Sequence, residues 1–416
     1  MRVRRGRVLA LLWVLVAAAS GCDVPLAPLA LGPSLAPNLT SAPSVQPSTS
    51  ASPLATPQPT PTPQATPSAS PSPTPTVEPT PEVTPTPVPT PTPPGTILVG
   101  TSPEASGAWT AVTAMARPRM GHVVVPLDGR LVVSGGFPDE VLEGYRPSSD
   151  SWLEQDLTSA FYPLRPNGYP GQYFSCGGTV GTNRFVVAGG FDGSGPILYP
   201  RVYTLTEGFQ YSVAFGNRMA EPRYAVAGAT IGSKLYVAGG LRQVTVNQNG
   251  VFHGVETSGS LDAFDLTKGS WTALASMSVP VSGATAVAFN GQLCVLGGRH
   301  ANGETTNEVQ VYSPDSNQWV SDPGSGALPA MRVARHSAAA AVFGGRIYVF
   351  GGMTADGTVT NSAEVYDPTH RIWQMLPAMP FARCLHAAVA LDNRIYVLGG
   401  NNPQGQPQRS VEAFVP

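Results

Sequence analysis

Arg346-Ile347-Tyr348-Val349-Phe350 runs into Gly351-Gly352, and further on Glu364-Val365-Tyr366-Asp367-Pro368 is followed by Trp373. Upstream, an alternating run from Arg335 to Ala341 leads to a Gly344-Gly345 turn. Each apolar run covers five to seven residues and is bounded by Gly, Asn or Asp, which is the chemistry of short strands joined by tight turns. The turn recurs as Asp128-Gly129, Asn290-Gly291 and Asp392-Asn393. Such pairs accept positive φ and suit two-residue hairpins.

The whole stretch repeats. Double glycines stand at Gly135-Gly136, Gly189-Gly190, Gly239-Gly240, Gly297-Gly298, Gly351-Gly352 and Gly399-Gly400, spaced 54, 50, 58, 54 and 48 residues apart. A period near fifty with a double glycine after a strand marks a radial repeat of four-stranded sheets. A second signal agrees on the phase. An aromatic precedes a tryptophan by seven residues in Tyr145 and Trp152, Phe264 and Trp271, Tyr312 and Trp319, and Tyr366 and Trp373. Unit two departs, with Gln210 seven residues after Tyr203, and Phe209 or Tyr211 is expected to fill the tryptophan place.

This pattern resembles the kelch repeat, and the resemblance covers roughly residues 105 to 416. It implies an all-β, six-bladed kelch-type β-propeller, one repeat to a blade, over residues 100–416. The array ends at Val411-Glu412-Ala413-Phe414-Val415-Pro416 without a tryptophan strand, whereas Trp109 lies in a strand-like run with no unit before it. Residues 107 to 113 are therefore expected to supply the outer strand of the last blade, leaving no open edge. Small residues at the double glycines let inner strands crowd near the axis.

Before residue 100 the composition changes. Arg2, Arg4, Arg5 and Arg7 precede an apolar run from Val8 to Ala19, then Ala19-Ser20-Gly21-Cys22. A charged start, a short apolar core and small residues describe a secretory signal over residues 1–22, since a membrane span needs about 20 apolar residues. The cysteine after the small residues resembles a bacterial lipobox, which implies lipidation of Cys22 and an exported, membrane-anchored, extracytoplasmic protein. Residues 23–99 are Pro-, Thr- and Ser-rich, with proline at nearly every second position from Pro53 to Pro94. That composition forms no core and favours a disordered polyproline stalk, whose stretch from Pro53 to Pro94 spans about 130 Å if fully extended.

Net charge is −2 over 416 residues with 12% charged residues, so no clustered positive charge points to nucleic acid. With Cys22 assigned to the lipid, Cys176, Cys294 and Cys384 form an odd set without CxxC spacing, read as buried thiols.

Sixteen residues before the first glycine of each pair stand Arg119, Tyr173, Arg223, Val281, Arg335 and Arg383. This position enters the inner strand, so Arg119, Arg223, Arg335 and Arg383 should surround one mouth of the central channel. There they either hold an anionic ligand or bond carbonyls and acids of the adjacent blade. His122 and His386 share a repeat position three residues further on, and His336 directly follows Arg335.

The loops after the double glycines should share the arginine face, and long polar loops on a rigid scaffold are where recognition concentrates. Arg299, His300 and Glu304 lie in one such loop. The longest, from Leu241 to Gly259, carries Arg242, Asn247, Asn249, His253 and Glu256. No histidine pair has metal-ligand spacing, so neither metal nor cofactor is expected.

The leading functional expectation is a tethered, monomeric binding module for a glycan, peptide or protein. The kelch resemblance leaves two alternatives. One is an exported enzyme, either similar to sialic-acid mutarotases with Glu221 or Glu304 as acid or base, or similar to the copper enzyme galactose oxidase. The other is a structural scaffold in an envelope complex.

Overall fold

The computed structural model describes residues 105–138, 141–156, 172–193, 195–206, 210–245, 252–320 and 326–416. Over these residues the apolar runs form six four-stranded antiparallel sheets. Blade 1 comprises Val123–Leu127, Arg130–Ser134, Val141–Arg146 and Ser151–Asp156. Blade 2 comprises Cys176–Val180, Arg184–Ala188, Arg201–Thr206 and Gln210–Phe215, and blade 3 Ala227–Ile231, Lys234–Ala238, Leu261–Asp265 and Ser270–Leu274. Blade 4 comprises Thr285–Phe289, Gln292–Leu296, Val309–Ser313 and Gln318–Val320, and blade 5 Ala339–Phe343, Arg346–Phe350, Ala363–Asp367 and Ile372–Leu376.

Blade 6 draws on both ends of the propeller. Ala387–Leu391, Arg394–Leu398 and Val411–Val415 are completed by Ala108–Val112, which pairs antiparallel with Val411–Val415. Trp109 stands opposite Phe414, the register in which Trp152 faces Tyr145 and Trp373 faces Tyr366. The expected closing strand is therefore present. The first strand of each blade contacts its counterparts in both neighbouring blades, so the six inner strands form a closed ring.

Alternation along the strands places apolar side chains on both faces of each sheet, and every seam between blades holds its own buried cluster. Leu131, Tyr145, Tyr396 and Leu398 fill the seam between blades 6 and 1, while Phe350, Val397 and Phe414 fill that between blades 5 and 6. Burying such a side chain contributes about 1.5–3 kcal/mol, so the ring is held chiefly by its seams.

Blade 2 corrects two sequence expectations. Its first hairpin pairs Val180 with Arg184 across three residues, whereas blade 1 pairs Leu127 with Arg130 across two. The extra residue shifts the count back from Gly189 by one. The place opposite Tyr203 that tryptophan fills elsewhere belongs to Val213. Tyr211 instead packs on Phe185 with ring centroids 5.7 Å apart, and Phe209 lies outside the described residues.

The long loop of blade 3 contains a two-stranded hairpin, Leu241–Thr245 with Phe252–Thr257. Cys176, Cys294 and Cys384 are buried and outside any disulfide, as expected. Cys22 and the signal and stalk expectations lie outside the described residues. No helix among the described residues is long and apolar enough to cross a membrane.

Candidate functional site

The channel mouth is built where each chain segment crosses between blades and turns into the inner strand. Here the second glycine of each pair donates its N–H to a carbonyl of the next blade. Gly400 bonds Arg119, Gly190 bonds Arg223, Gly298 bonds Arg335 and Gly352 bonds Arg383, at 2.8–2.9 Å. In the remaining seams Gly136 bonds Gln172 and Gly240 bonds Val281. The blade 2 counterpart of the arginines is thus Gln172, not Tyr173. Only glycine fits this link. Gly351 and Gly352 have φ of 56° and 95°, and a Cβ on Gly351 would lie 2.5 Å from the Arg383 carbonyl oxygen.

A second backbone ring lies two residues beyond. Gly121, Phe174, Ala225, Gly283, Ser337 and Leu385 all adopt left-handed φ between 52° and 62°. Phe174 donates to Gly121, Gly283 to Ala225, Ser337 to Gly283, Leu385 to Ser337 and Gly121 to Leu385. Each of these five links joins a blade to the one before it.

The four arginines are 0–1% exposed and each meets a carboxylate of its own blade. Arg119 pairs with Glu143, Arg223 with Asp262 at 2.6 Å, Arg335 with Glu364 at 3.0 Å and Arg383 with Glu412 at 2.5 Å. Their Nη1 atoms reach backbone carbonyls, as Arg335 Nη1 does to Gly351 and Ser362. Burial pushes Glu143, Glu364, Glu412 and Asp262 above the ordinary carboxylate range, against the opposing pull of the arginines. The geometry favours blade-fixing over ligand-holding, because the guanidiniums are enclosed by these partners.

The acids were legible and missed. Glu143, Asp262, Glu364 and Glu412 each stand two residues before the repeat aromatic. Where the arginine is lost the acid is lost too. Blade 2 has Gln172 with Arg201, and blade 4 has Val281 with Gln310.

His122 and His386 wedge between glycine pairs of adjacent blades and are buried. Burial, with help from Arg119 and Arg383, drives His122 to about 3, and burial drives His386 well below its ordinary value. Both repeat-position histidines are therefore neutral packing groups.

The mouth is two-sided. Over blades 1 to 3 an aromatic cluster of Phe137, Tyr173, Phe174, Phe191 and Tyr224 covers it. Over blades 4 and 5 polar groups replace it. Arg299 pairs across the backbone with Ser282, and His336, beside Ser337 at 3.0 Å, is held at about 4 by burial and then by Arg299.

Next to that polar half, the loop from Arg299 to Asn307 opens a cleft of about 630 Å³ that reaches Ala355 of blade 5. Arg299, His300 and Glu304 line it together. The loop is held by its own bonds. His300 N–H donates to the Glu304 carbonyl at 2.9 Å, Asn302 Nδ2 to Glu304 Oε2 at 2.7 Å and Arg299 Nε to the Gly303 carbonyl at 3.1 Å.

Arg242 belongs to a separate cluster on the blade 3 hairpin, bonding Glu256 at 2.9 Å and Glu221 at 3.4 Å. Glu221 also accepts from Ser258 and Ser260, so Glu221 and Glu304 do not share a site. The side chain of His253, like Asn247 and Asn249, lies outside the described residues. Among the described residues no group of three or more His, Cys, Asp or Glu side chains is placed to hold a metal ion.

Comparison with known proteins places this geometry. The family model described as the Attractin/LZTR1 beta-propeller matches residues 185–414. Kelch-like protein 33 of Homo sapiens is 32% identical over 176 residues, 41% of this chain and 30% of that protein. Kelch-like protein 23 of Homo sapiens is 27% identical over 268 residues, 62% and 41% of the two chains. Kelch repeat and BTB domain-containing protein 12 of Danio rerio is 28% identical over 170 residues, 37% and 25%. The matches thus span a quarter to two fifths of these relatives' lengths.

Proposed function

The chain belongs to the Attractin/LZTR1 β-propeller family, and on that premise we propose that it is a binding module whose loop face receives a peptide segment of a protein partner. One observation carries this reading. Arg299, His300 and Glu304 converge on one open cleft beside the mouth, whereas the repeat-position arginines are enclosed in buried pairs. A rigid ring presenting a polar loop cleft offers charged groups that orient a bound segment. The same reading includes export, a lipid on Cys22 and residues 23–99 as a stalk, supported by the composition of the first hundred residues.

A displayed random-peptide library panned against the intact protein tests the binding reading. Enriched peptides should lose about tenfold or more in affinity, on the order of 1.4 kcal/mol, with Arg299→Ala combined with Glu304→Ala. Failure to enrich any peptide, or binding indifferent to the pair of changes, would sink it. The tether is tested separately by metabolic labelling with a fatty acid in a bacterial host, where the wild type should incorporate label and Cys22→Ser should not.

A further inference from the structure

In four seams the turn between the third and fourth strands of a blade reaches back to the chain leaving the blade before it. Asp150 accepts from the Thr113 N–H at 2.9 Å and from its hydroxyl at 2.8 Å, and the Gly269 carbonyl accepts from the Asn217 N–H at 3.3 Å. Asn317 Oδ1 accepts from the Ala275 N–H at 2.9 Å, and Arg371 Nη2 donates to the Ala327 carbonyl at 2.7 Å. No turn joins the third and fourth strands of blade 6, Val411–Val415 and Ala108–Val112, because they come from the two ends of the propeller. A strap of Ala105 and Ser106 crosses there instead, and the Ala105 N–H donates to the Met375 carbonyl at 3.1 Å. Between this strap and blade 5 a cleft of about 310 Å³ opens.

Its lining is half apolar and half polar. Val365, Leu376 and the ring of Tyr348 are buried, and Arg346, Asp367 and Gln374 supply the polar groups. Arg346 and Asp367 stand 3.5 Å apart. The His370 ring and the Thr369 N–H, helped by Arg346, hold Asp367 down at about 2, so it is a carboxylate. Of its roughly four acceptor sites, Thr369 N–H takes one at 2.9 Å and His370 Nδ1 another at 2.9 Å. Burial pushes the Tyr348 phenol up, which keeps it a neutral hydroxyl. Among the described residues no hydrogen bond engages that hydroxyl, the Gln374 side-chain amide or the Arg346 guanidinium. In the register of Gln374, blades 1, 3 and 4 carry Leu153, Thr272 and Val320, so the amide is particular to this seam.

We propose that this cleft binds a neutral saccharide unit. The charges of Arg346 and Asp367 cancel, so an anion meets the carboxylate, a cation meets the guanidinium, and neither is favoured. A hydroxyl suits both at once, accepting from Arg346 while donating to Asp367, and such charge-assisted bonds are the stronger kind. A neighbouring hydroxyl then meets Gln374 or Tyr348, each able to donate and accept. A pyranose also has an apolar C–H face, for which Val365, Leu376 and the Tyr348 ring offer a matching surface. Ligand pockets run from about 300 to 1,000 Å³, so this one, at the small end, suits a single ring. The inference does not rest on the peptide reading of the loop cleft.

The test is a saturation-transfer NMR titration of the full chain with glucose, galactose, mannose and N-acetylglucosamine as probes. At least one should bind, and its affinity should fall by about tenfold or more in Gln374→Leu and in Arg346→Gln. Both changes borrow a residue that another blade holds in the same register, Leu153 and Gln292, so the ring should still form. Arg299→Ala combined with Glu304→Ala should leave sugar binding unchanged. Binding by none of the four sugars, or binding unchanged in either cleft variant, overturns the proposal. So does loss of sugar binding in the Arg299 and Glu304 double variant, which would place the sugar in the loop cleft. Acetate or ethylammonium binding more tightly than every sugar would assign the cleft to an ionic ligand and overturn it as well.

Discussion

Blades 4 and 5 make the same turn into the ring with different chemistry. In blade 5 Arg335 and Glu364 form a buried ion pair, and in blade 4 Val281 and Gln310 stand in their places. Yet the backbone links are alike, with Gly240 bonding Val281 and Gly298 bonding Arg335, both at 2.9 Å. The ring geometry is therefore set by glycine pairs and left-handed residues, and the ion pair is one of two ways to fill the space behind it. Replacing a whole buried pair is often neutral, whereas removing one partner strands a charge.

The largest expected effect separates the two blades directly. Arg335→Ala leaves Glu364 buried without its counter-ion, with only backbone N–H donors such as that of Arg332 beside it, and should cost about 3–5 kcal/mol in denaturant unfolding. Val281→Ala, which strands no charge, should cost less. Equal losses would remove the distinction.

Next comes acid. His386 and His122 line the seams on either side of blade 6, where Val226 and Ala284 occupy the same repeat position in blades 3 and 4. His122 falls from 6.5 to about 3 on folding. Between those values the unfolded chain binds the extra proton, so its contribution is full above pH 6.5 and is lost as pH falls. The wild-type stability curve should fall more steeply than that of His122→Gln across this window, by up to about 1.4 kcal/mol per pH unit. Parallel curves would show that the histidine is not the titrating group.

Smaller still is the transplant. Arg335→Val with Glu364→Gln gives blade 5 the blade 4 solution and should leave stability within about 1.5 kcal/mol of wild type. A loss as large as that of Arg335→Ala would mean that the two fillings are not interchangeable. Smallest is Arg242→Ala on the exposed hairpin, expected to cost less than about 1 kcal/mol by thermal unfolding. A larger loss would show the hairpin to be part of the ring's support.

Much of this was legible because backbone demands leave residue signatures. The double glycines answer a clash with a neighbouring carbonyl, and the aromatic and tryptophan answer a cross-strand pair, so the blades and the closing strand around Trp109 could be read. Tyr173 was misplaced because a three-residue turn at Gly181 to Asn183 lengthens the unit without altering its apolar pattern. Bonding of Arg119 and its counterparts to carbonyls and acids was one of two readings the sequence left open; the acids were placed in the adjacent blade, whereas they lie in a strand of the same blade and show only when the arginine and aromatic positions are compared together. The gathering of Arg299, His300 and Glu304 was legible as a loop, but the cleft depends on Ala355 of the next blade. Nothing in the residues around Gly121 or Leu385 announces the left-handed ring.

The closing strand also sets the timetable of synthesis. Ala108–Val112 leaves the ribosome first among the strands, and its partner Val411–Val415 leaves last. At about 5–20 residues per second the interval is roughly 15–60 s, during which Trp109 has no ring to enter. The pairing with the greatest sequence separation must form last, and such non-local contacts are the slow ones. Closure of this propeller therefore waits on one short strand whose partner lies about three hundred residues away.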